Sequence, residues 1–259
     1  MSHTKSELQK QIEALGIEKN DTLLIHSSMK AIGEVENGAG GVLDAFIEYL
    51  QNGLLIFPTH SWKQIKEEND IFDPQTETSC VGLLSNLFMK RDGVVRSWHP
   101  THSVAAIGEK AIDYVSGEEL IGTPCGREGC WGKLYDLKAK ILFLGCSPKS
   151  NTILHGVEEW NDIPNRLSEQ PLAIKIKTPE GKLIDRPLYT HASPIPDISR
   201  NYDKIMPALL KKGYAKEGLI GNAHSYLCDV VEMVDLVFLF LQKDPDLFID
   251  EKPVPEGWY

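Results

Sequence analysis

The chain has 259 residues, 42% of them hydrophobic, enough to bury one large α/β core or two small ones. Lysine and arginine number 27 against 37 aspartate and glutamate, a formal net charge of -10. That balance excludes a nucleic-acid binder, which needs clustered basic residues to meet phosphates, and it suits a cationic small molecule. Five cysteines, odd in number and widely spaced, fit a reducing compartment, and a cytoplasmic location is expected. Cys125 and Cys130 have no second close pair, so buried thiols are expected rather than zinc, and no metal is assigned. The start MSHTKSELQK has no apolar signal core. The most apolar run, Val230 to Leu241, is broken by Glu232 and Asp235 and is too short to span a bilayer, so no membrane partner is expected.

Ser6 is placed to cap a first helix whose Leu8, Ile12 and Leu15 recur at helical spacing, with Gly16 ending it. Asp21 to His26 is an apolar run of strand type. His26 to Gly33 (HSSMKAIG) then leads through Gly38 to Gly41 into an amphipathic helix carrying Val42, Leu43, Phe46, Ile47 and Leu50. Gly53 to Pro58 reads as a second strand, followed by Thr59-His60-Ser61-Trp62. Strand, helix, strand, with polar residues just past the strand ends, is the layout of an α/β sheet whose ligand crevice lies there. Residues 63–78 are polar and read as a loop over that crevice, with a turn at Phe72-Asp73-Pro74. A third helix takes Val81, Leu84, Leu87 and Phe88. The segment from Val94 to Gly108 ends in an apolar strand, and Arg96, Ser97, His99, His102 and Ser103 crowd its entrance. A helix near Glu109 to Val115 and a glycine-rich loop from Gly122 to Gly132 follow.

The central stretch runs from Lys140 to Trp160. A buried strand, Ile141 to Leu144, ends at Gly145, and Ser150 or Asn151 is placed to cap the helix that follows a polar turn. On that helix His155 and Glu158 stand three residues apart and share a face. The positive end of the helix favours a neutral imidazole, and a neutral imidazole beside a carboxylate is what a general base needs near pH 7. The same spacing also fits a helix-surface histidine with a chance acidic neighbour. Beyond Trp160, Leu172 to Lys177 and Leu183 to Tyr189 form a hairpin around Pro179-Glu180-Gly181. A helix from Tyr202 to Lys212, a segment from Gly221 to Asp229, a last helix from Val230 to Gln242 and a proline-bearing surface tail complete the chain. The whole reads as a single domain over residues 1–259, with an annex near residues 165–200.

Several chemistries are absent from the pattern. There is no GxxxxGK[ST] phosphate loop, no GxSxG elbow and no HExxH helix. Cys125, Cys130 and Cys146 have no nearby histidine and read as buried and inert, although a cysteine-nucleophile acyltransferase stays open. What remains is a set of polar turns after strands, plus the His155/Glu158 pair. Small hydroxyl residues with free backbone N–H groups at a sheet end suit a long phosphate-bearing ligand such as coenzyme A. Taken singly, each serine is equally a loop cap.

The ordered series LLIHSSMKAIG (23–33), LLIFPTHSW (54–62), FDPQTETSCVGLLS (72–85), RSWHPTHSVAAIG (96–108), TPCGREGCWGKL (123–134), AKILFLG (139–145), NTILHGVEEW (151–160) and GLIGNAHSYLCDVVEMVD (218–235) resembles the aminoglycoside 3-N-acetyltransferase family over most of the chain. The resemblance implies an α/β fold with a mixed, mostly parallel sheet flanked by helices on both faces and a smaller α+β C-terminal portion. It also implies acetyl-coenzyme A as donor and a small-molecule amine, aminoglycoside-like, as acceptor. The family's N-T-x-x-H-x-x-E pattern falls on Asn151, Thr152, His155 and Glu158, which makes His155 the base, Glu158 its orienting partner and Asn151 a substrate contact. Its H-S-S-[LM]-x-x-x-G, P-T-x-S and H-P-x-x-S patterns place the cofactor on His26, Ser27, Ser28, Met29, Ile32, Gly33, Thr59, Ser61, His102, Ser103, Val104 and Ala105, with Asp73 toward the substrate. Where drug-modifying members tend to carry an acidic segment, this chain reads THASPIPD, with Asp197 late and His191 in its midst. An acetyltransferase for a non-antibiotic amino sugar, or a coenzyme A-binding module without turnover, therefore stays open, as does the oligomeric state.

Overall fold

The computed structural model describes residues 2–259. Its frame is a seven-stranded sheet in the order β4-β5-β2-β1-β6-β10-β9. The strands are β1 (Thr22–Ser27), β2 (Leu54–Pro58), β4 (Val95–Arg96), β5 (Val104–Gly108), β6 (Lys140–Leu144), β9 (Ala215–Ile220) and β10 (Ala223–Asp229). A second sheet of three short strands joins β3 (Ile71–Phe72), β7 (Lys175–Lys177) and β8 (Leu183–Asp185). The helices are α1 (Lys5–Leu15), α2 (Met29–Ile32), α3 (Gly38–Tyr49), α4 (Leu83–Phe88), α5 (Ala111–Val115), α6 (Cys130–Asp136), α7 (Ile153–Trp160), α8 (Met206–Lys212) and α9 (Val230–Lys243).

In the large sheet only β1 with β2 and β1 with β6 pair in parallel; the other four neighbouring pairs are antiparallel. The expected mixed sheet is present, but it is mostly antiparallel rather than mostly parallel. Two of the antiparallel pairs, β4–β5 and β9–β10, follow one another in the chain with short connections, which suit antiparallel neighbours; β2–β5 and β6–β10 are antiparallel across longer excursions. The parallel centre has helical crossovers, and its strands are buried on both faces, so they read as unbroken apolar runs. Alternate residues of β1 enter different cores. Leu23 and Ile25 pack with α1 and α3, whereas Leu24 packs with α6, α7 and α9. The same alternation sends His26 to the α6–α7 side, beside its β6 partner Phe143.

Several local expectations are corrected. Thr4, not Ser6, caps α1, in a reciprocal capping box with Glu7. Neither Ser150 nor Asn151 caps α7; Ser147 caps a short 3-10 turn at Pro148–Ser150, and Thr152 leads into α7 with no side-chain cap. Residues 63–78 are not only loop, since β3 adds Phe72 to a small core with Ile174, Ile176 and Leu188. The segment near Tyr202 is 3-10 over Ile198–Ile205 before α8 begins. The tail is not merely superficial, because Leu247, Phe248 and Val254 are buried in the larger core. Among the described residues no helix is long and apolar enough to cross a membrane.

Two glycines position the central stretch. Gly145 ends β6 at φ 65°, where a Cβ would meet Ala31 and Ala223 at 2.6 and 2.8 Å. Gly156 lets α7 lie against Cys125 and the Trp160 ring, which a Cβ would approach at 3.2 and 2.9 Å.

Candidate active site

A cavity of about 990 Å³ opens where β1, β2 and β6 end and α7 begins, and the segment from Thr190 to Ser199 closes it from the far side. That volume is at the upper end for a small-molecule site and leaves room for an extended ligand beside a second one. Of the residues expected to bind ligands, His26, Ser27, His102, Asn151 and His155 line it. Asn151 presents a buried Oδ1 with no hydrogen-bond partner, and His26 likewise leaves Nε2 unpaired. Such orphaned polar atoms on a cavity wall fit a ligand that supplies the missing bonds.

His155 reaches this wall from the first turn of α7. Its Nδ1 lies 2.7 Å from the Tyr202 hydroxyl, which donates to Glu158 Oε2 at 2.5 Å. Arg166 holds the other carboxylate oxygen, donating from Nε to Oε1 at 2.5 Å. Glu158 itself stands 3.9 Å from His155 Nδ1. The pair therefore shares a face, as the spacing requires, but the carboxylate orients the ring through Tyr202 rather than by touching it. Burial raises the Glu158 carboxyl, opposed by the bonds from Tyr202 and Arg166. Burial also lowers the His155 imidazole to about 4, so the ring is neutral near pH 7. A tyrosine has one proton to give; spent on Glu158, it leaves the hydroxyl to accept Nδ1–H from His155 and frees Nε2 as a base.

A second histidine, His191, stacks on His155 with ring centroids 3.9 Å apart, and His102 meets it edge-on at 4.7 Å. His60 stacks on Trp131 and pairs with Thr152 Oγ1 at 3.2 Å. Burial lowers all of these imidazoles, so the cluster is neutral and imposes no charge of its own. Cys125, Glu159 and His191 have ligand-type atoms within 4.8 Å of one another. Two of the three are already engaged: the Cys125 thiol faces the Thr152 carbonyl, and Glu159 accepts the Cys125 N–H. Burial pushes the Cys125 thiol well up and the Glu159 carboxyl to about 7.

The other sequence candidates lie elsewhere. Thr59, Ser61 and Ser103 are fully buried and spend their hydroxyls within the protein. Thr59 Oγ1 pairs with Ser103 Oγ at 2.9 Å, and Ser61 donates to the Pro100 carbonyl at 2.7 Å. Arg96 fixes the group by donating to the carbonyls of Thr59 and Glu77. The backbone N–H groups expected to be free are also taken: Ser28 donates to Leu144, Thr59 to Ser103 and Ser61 to Thr101. Val104 and Ala105 are core strand residues, Ile32 is core, and none of the three lines the cavity. Ser28, Met29 and Gly33 sit in and around α2, behind the wall that Ser27 forms. Asp73 is tied to Lys177 at 3.1 Å beside the small sheet, away from the cavity. Sequence reasoning missed Tyr202, Arg166, Trp62, Lys149 and His191 as parts of the site. Only His191 had a sequence signal, its place in the polar turn THASP.

A mixed-sheet α/β protein with a buried imidazole relay on a large cavity defines a class of enzyme, and the comparisons identify which. The sequence pattern of the aminoglycoside 3-N-acetyltransferases matches residues 24–242, and the chain belongs to that family. It is 28% identical to an aminoglycoside N(3)-acetyltransferase III of Acinetobacter baumannii over 93% of this chain and 92% of that one. The crystal structure of a variant of aminoglycoside acetyltransferase AAC(3)-IVa in complex with a gentamicin superposes with a TM-score of 0.83 at 26% identity, covering 96% of this chain and 92% of the other. AAC-IIIb with CoASH bound shares the fold at a TM-score of 0.83 and 23% identity, covering 98% and 100%. Family membership makes the chain an N-acetyltransferase.

Proposed function

We propose that the chain transfers acetyl from acetyl-coenzyme A directly to a primary amine of an amino-sugar acceptor, with His155 as general base and Tyr202 and Glu158 as its positioning pair. The observation that carries this reading is the His155 ring on the wall of the cavity, tied at 2.7 Å to a tyrosine that a buried carboxylate holds. The CoASH complex of AAC-IIIb supports the donor, and the gentamicin complex of AAC(3)-IVa supports an amino-sugar acceptor.

Acetyl-coenzyme A supplies a thioester whose C–S bond breaks as the amine nitrogen forms a C–N bond to its carbonyl carbon. His155 Nε2 takes the proton that the amine loses, and the imidazolium returns it to the departing thiolate. The products are an amide and a free thiol, with no net proton change on the protein. An imidazole held near 4 is a weak base on its own. The Tyr202–Glu158 pair offsets this by accepting the Nδ1–H more strongly as positive charge develops, and it keeps the ring in one tautomer throughout. Arg166, with Tyr202, opposes the rise that burial gives the Glu158 carboxyl. Asn151 Oδ1 and Ser27 are placed to contact the two ligands.

The test is thiol release from acetyl-coenzyme A across a panel of amines, with the acetylated product identified by mass. Release that depends on amine and on His155 is expected. Tight coenzyme binding with no release from any amine would overturn the reading, and a trappable acyl-enzyme with ping-pong kinetics would replace it with a cysteine nucleophile.

A further inference from the structure

The wall of the cavity does not share the charge of the chain. The molecule carries a formal charge of -10, yet among the described residues the ionised side chains lining the cavity are two lysines, Lys66 and Lys149, and a single carboxylate, Asp197. The histidines that complete the wall are held neutral by burial. Neither lysine is tightly held: Lys66 reaches Glu68 at 3.6 Å and Lys149 reaches Asp203 at 3.7 Å, and both pairs are exposed. Asp197 caps the 3-10 helix at Ile198 with Oδ1, which accepts both the N–H and the hydroxyl of Ser199, so Oδ2 remains for a ligand. Asp197 and His155 line the same cavity. The Pro148–Ser150 turn that carries Lys149 packs against the 3-10 helix that Asp197 caps, and both side chains line the cavity.

A drug of the 2-deoxystreptamine type carries several ammonium groups, each of which is best met by a carboxylate when buried. This wall offers one carboxylate and adds two cations that repel the rest, a specificity built from repulsion as much as attraction. Resting on the acetyl-transfer reading above, we propose that the acceptor is an amino sugar with one amine and a covalently attached anion such as a phosphate, Lys149 receiving its anion and Asp197 its amine end, which binds as an ammonium and sheds one proton to solvent before it attacks. The phosphates of the coenzyme share that chemistry, and Lys66, on the loop beyond β2, is the residue left to meet them.

The experiment measures binding of glucosamine 6-phosphate, glucosamine and gentamicin to the wild-type chain loaded with coenzyme A, and thiol release from acetyl-coenzyme A with each. Glucosamine 6-phosphate is expected to bind at least about tenfold more tightly than glucosamine, with gentamicin weakest and the phosphate advantage shrinking at high salt. In a folded Lys149→Glu protein that advantage should vanish while affinity for coenzyme A stays unchanged. Gentamicin binding most tightly, the phosphate making no difference, or binding by none of the three would overturn the proposal. A Lys149→Glu loss that falls on coenzyme A instead would overturn the assignment of the lysine and give it to the donor. Thiol release with the affinity order reversed sinks the specificity alone; the expected order without release sinks the chemistry alone.

Discussion

Two buried polar groups lie near the strand ends and close differently. On one side Arg166, Glu158, Tyr202 and His155 form a chain of hydrogen bonds whose last member is an imidazole on the cavity wall. On the other, Arg96, Thr59, Ser61 and Ser103 form an equally buried set whose bonds all close on backbone carbonyls and on one another. Both satisfy the rule that buried polar atoms find partners. The difference is where the chain of bonds terminates: one ends on a ring at the cavity wall, the other closes inside the protein. Burial and polarity mark both sets, and on the proposed mechanism the first is the one that acts.

The largest effect should come from removing the terminus of the first set. His155→Ala is expected to lose about 100- to 10,000-fold in kcat, the range for a lost general base, with coenzyme affinity and Tm close to wild type. Unchanged turnover in a folded His155→Ala protein would place the base elsewhere. Tyr202→Phe tests the middle of the chain. It keeps the packing of the ring against Phe248 but removes the hydroxyl that links the carboxylate to the imidazole. A loss of at least about tenfold in kcat, smaller than that of His155→Ala and with KM for the acceptor unchanged, is expected. A purely structural tyrosine would instead lower Tm and leave kcat alone.

How much of this is legible in the sequence follows the same division. The His155/Glu158 pair can be read because both residues sit on one short helix, where spacing alone fixes their common face. Tyr202 cannot, since it arrives from 47 residues downstream on a 3-10 segment that carries no motif. Serines and threonines after strands read as ligand contacts because free hydroxyls and N–H groups are what such turns offer in isolation. Ser103 and Thr59 spend their hydroxyls on each other once β2 and β5 pair and set them opposite each other. The parallel centre of the sheet is legible as apolar runs. The edge strand β9 is not, because Lys216 and Glu217 face solvent and break the alternation, as charges on an edge strand commonly do.

An intermediate effect concerns pH, and it separates the stability of the histidine cluster from its chemistry. Burial lowers His155 to about 4 and His26 to about 3, below the value near 6.5 of an unfolded imidazole. Between about pH 6.5 and 4 the unfolded chain therefore binds more protons than the folded one. The stability contributed by neutral burial is complete above 6.5 and is lost as pH falls through the folded values. Tm should be level above pH 7 and drop steadily below it. Turnover should behave otherwise. With His155 neutral throughout, the acid limb of kcat/KM should follow the pKa of the acceptor amine, and two amines of different basicity should give two displaced limbs. A common limb near 6.5 for both would show that the base is a solvent-exposed imidazole.

The smallest effect on activity is expected from the second set, and it is the sharpest check on the comparison. Ser103 Oγ accepts from Arg96 Nε at 3.1 Å, donates to the Thr59 carbonyl at 2.9 Å and pairs with the Thr59 hydroxyl. Ser103→Ala leaves a buried guanidinium N–H without its acceptor, which costs about 1–3 kcal/mol. For a chain of this size that is a fall in Tm of about 2–4 °C per kcal/mol. As an internal tie, the residue should change KM for acetyl-coenzyme A by less than about twofold, since no ligand contact is lost. As a coenzyme contact, it would raise that KM by about tenfold with little change in Tm, the pattern of a lost ligand hydrogen bond. The two outcomes move different observables, so one variant decides whether a polar turn at a strand end binds the coenzyme or ties two strands together.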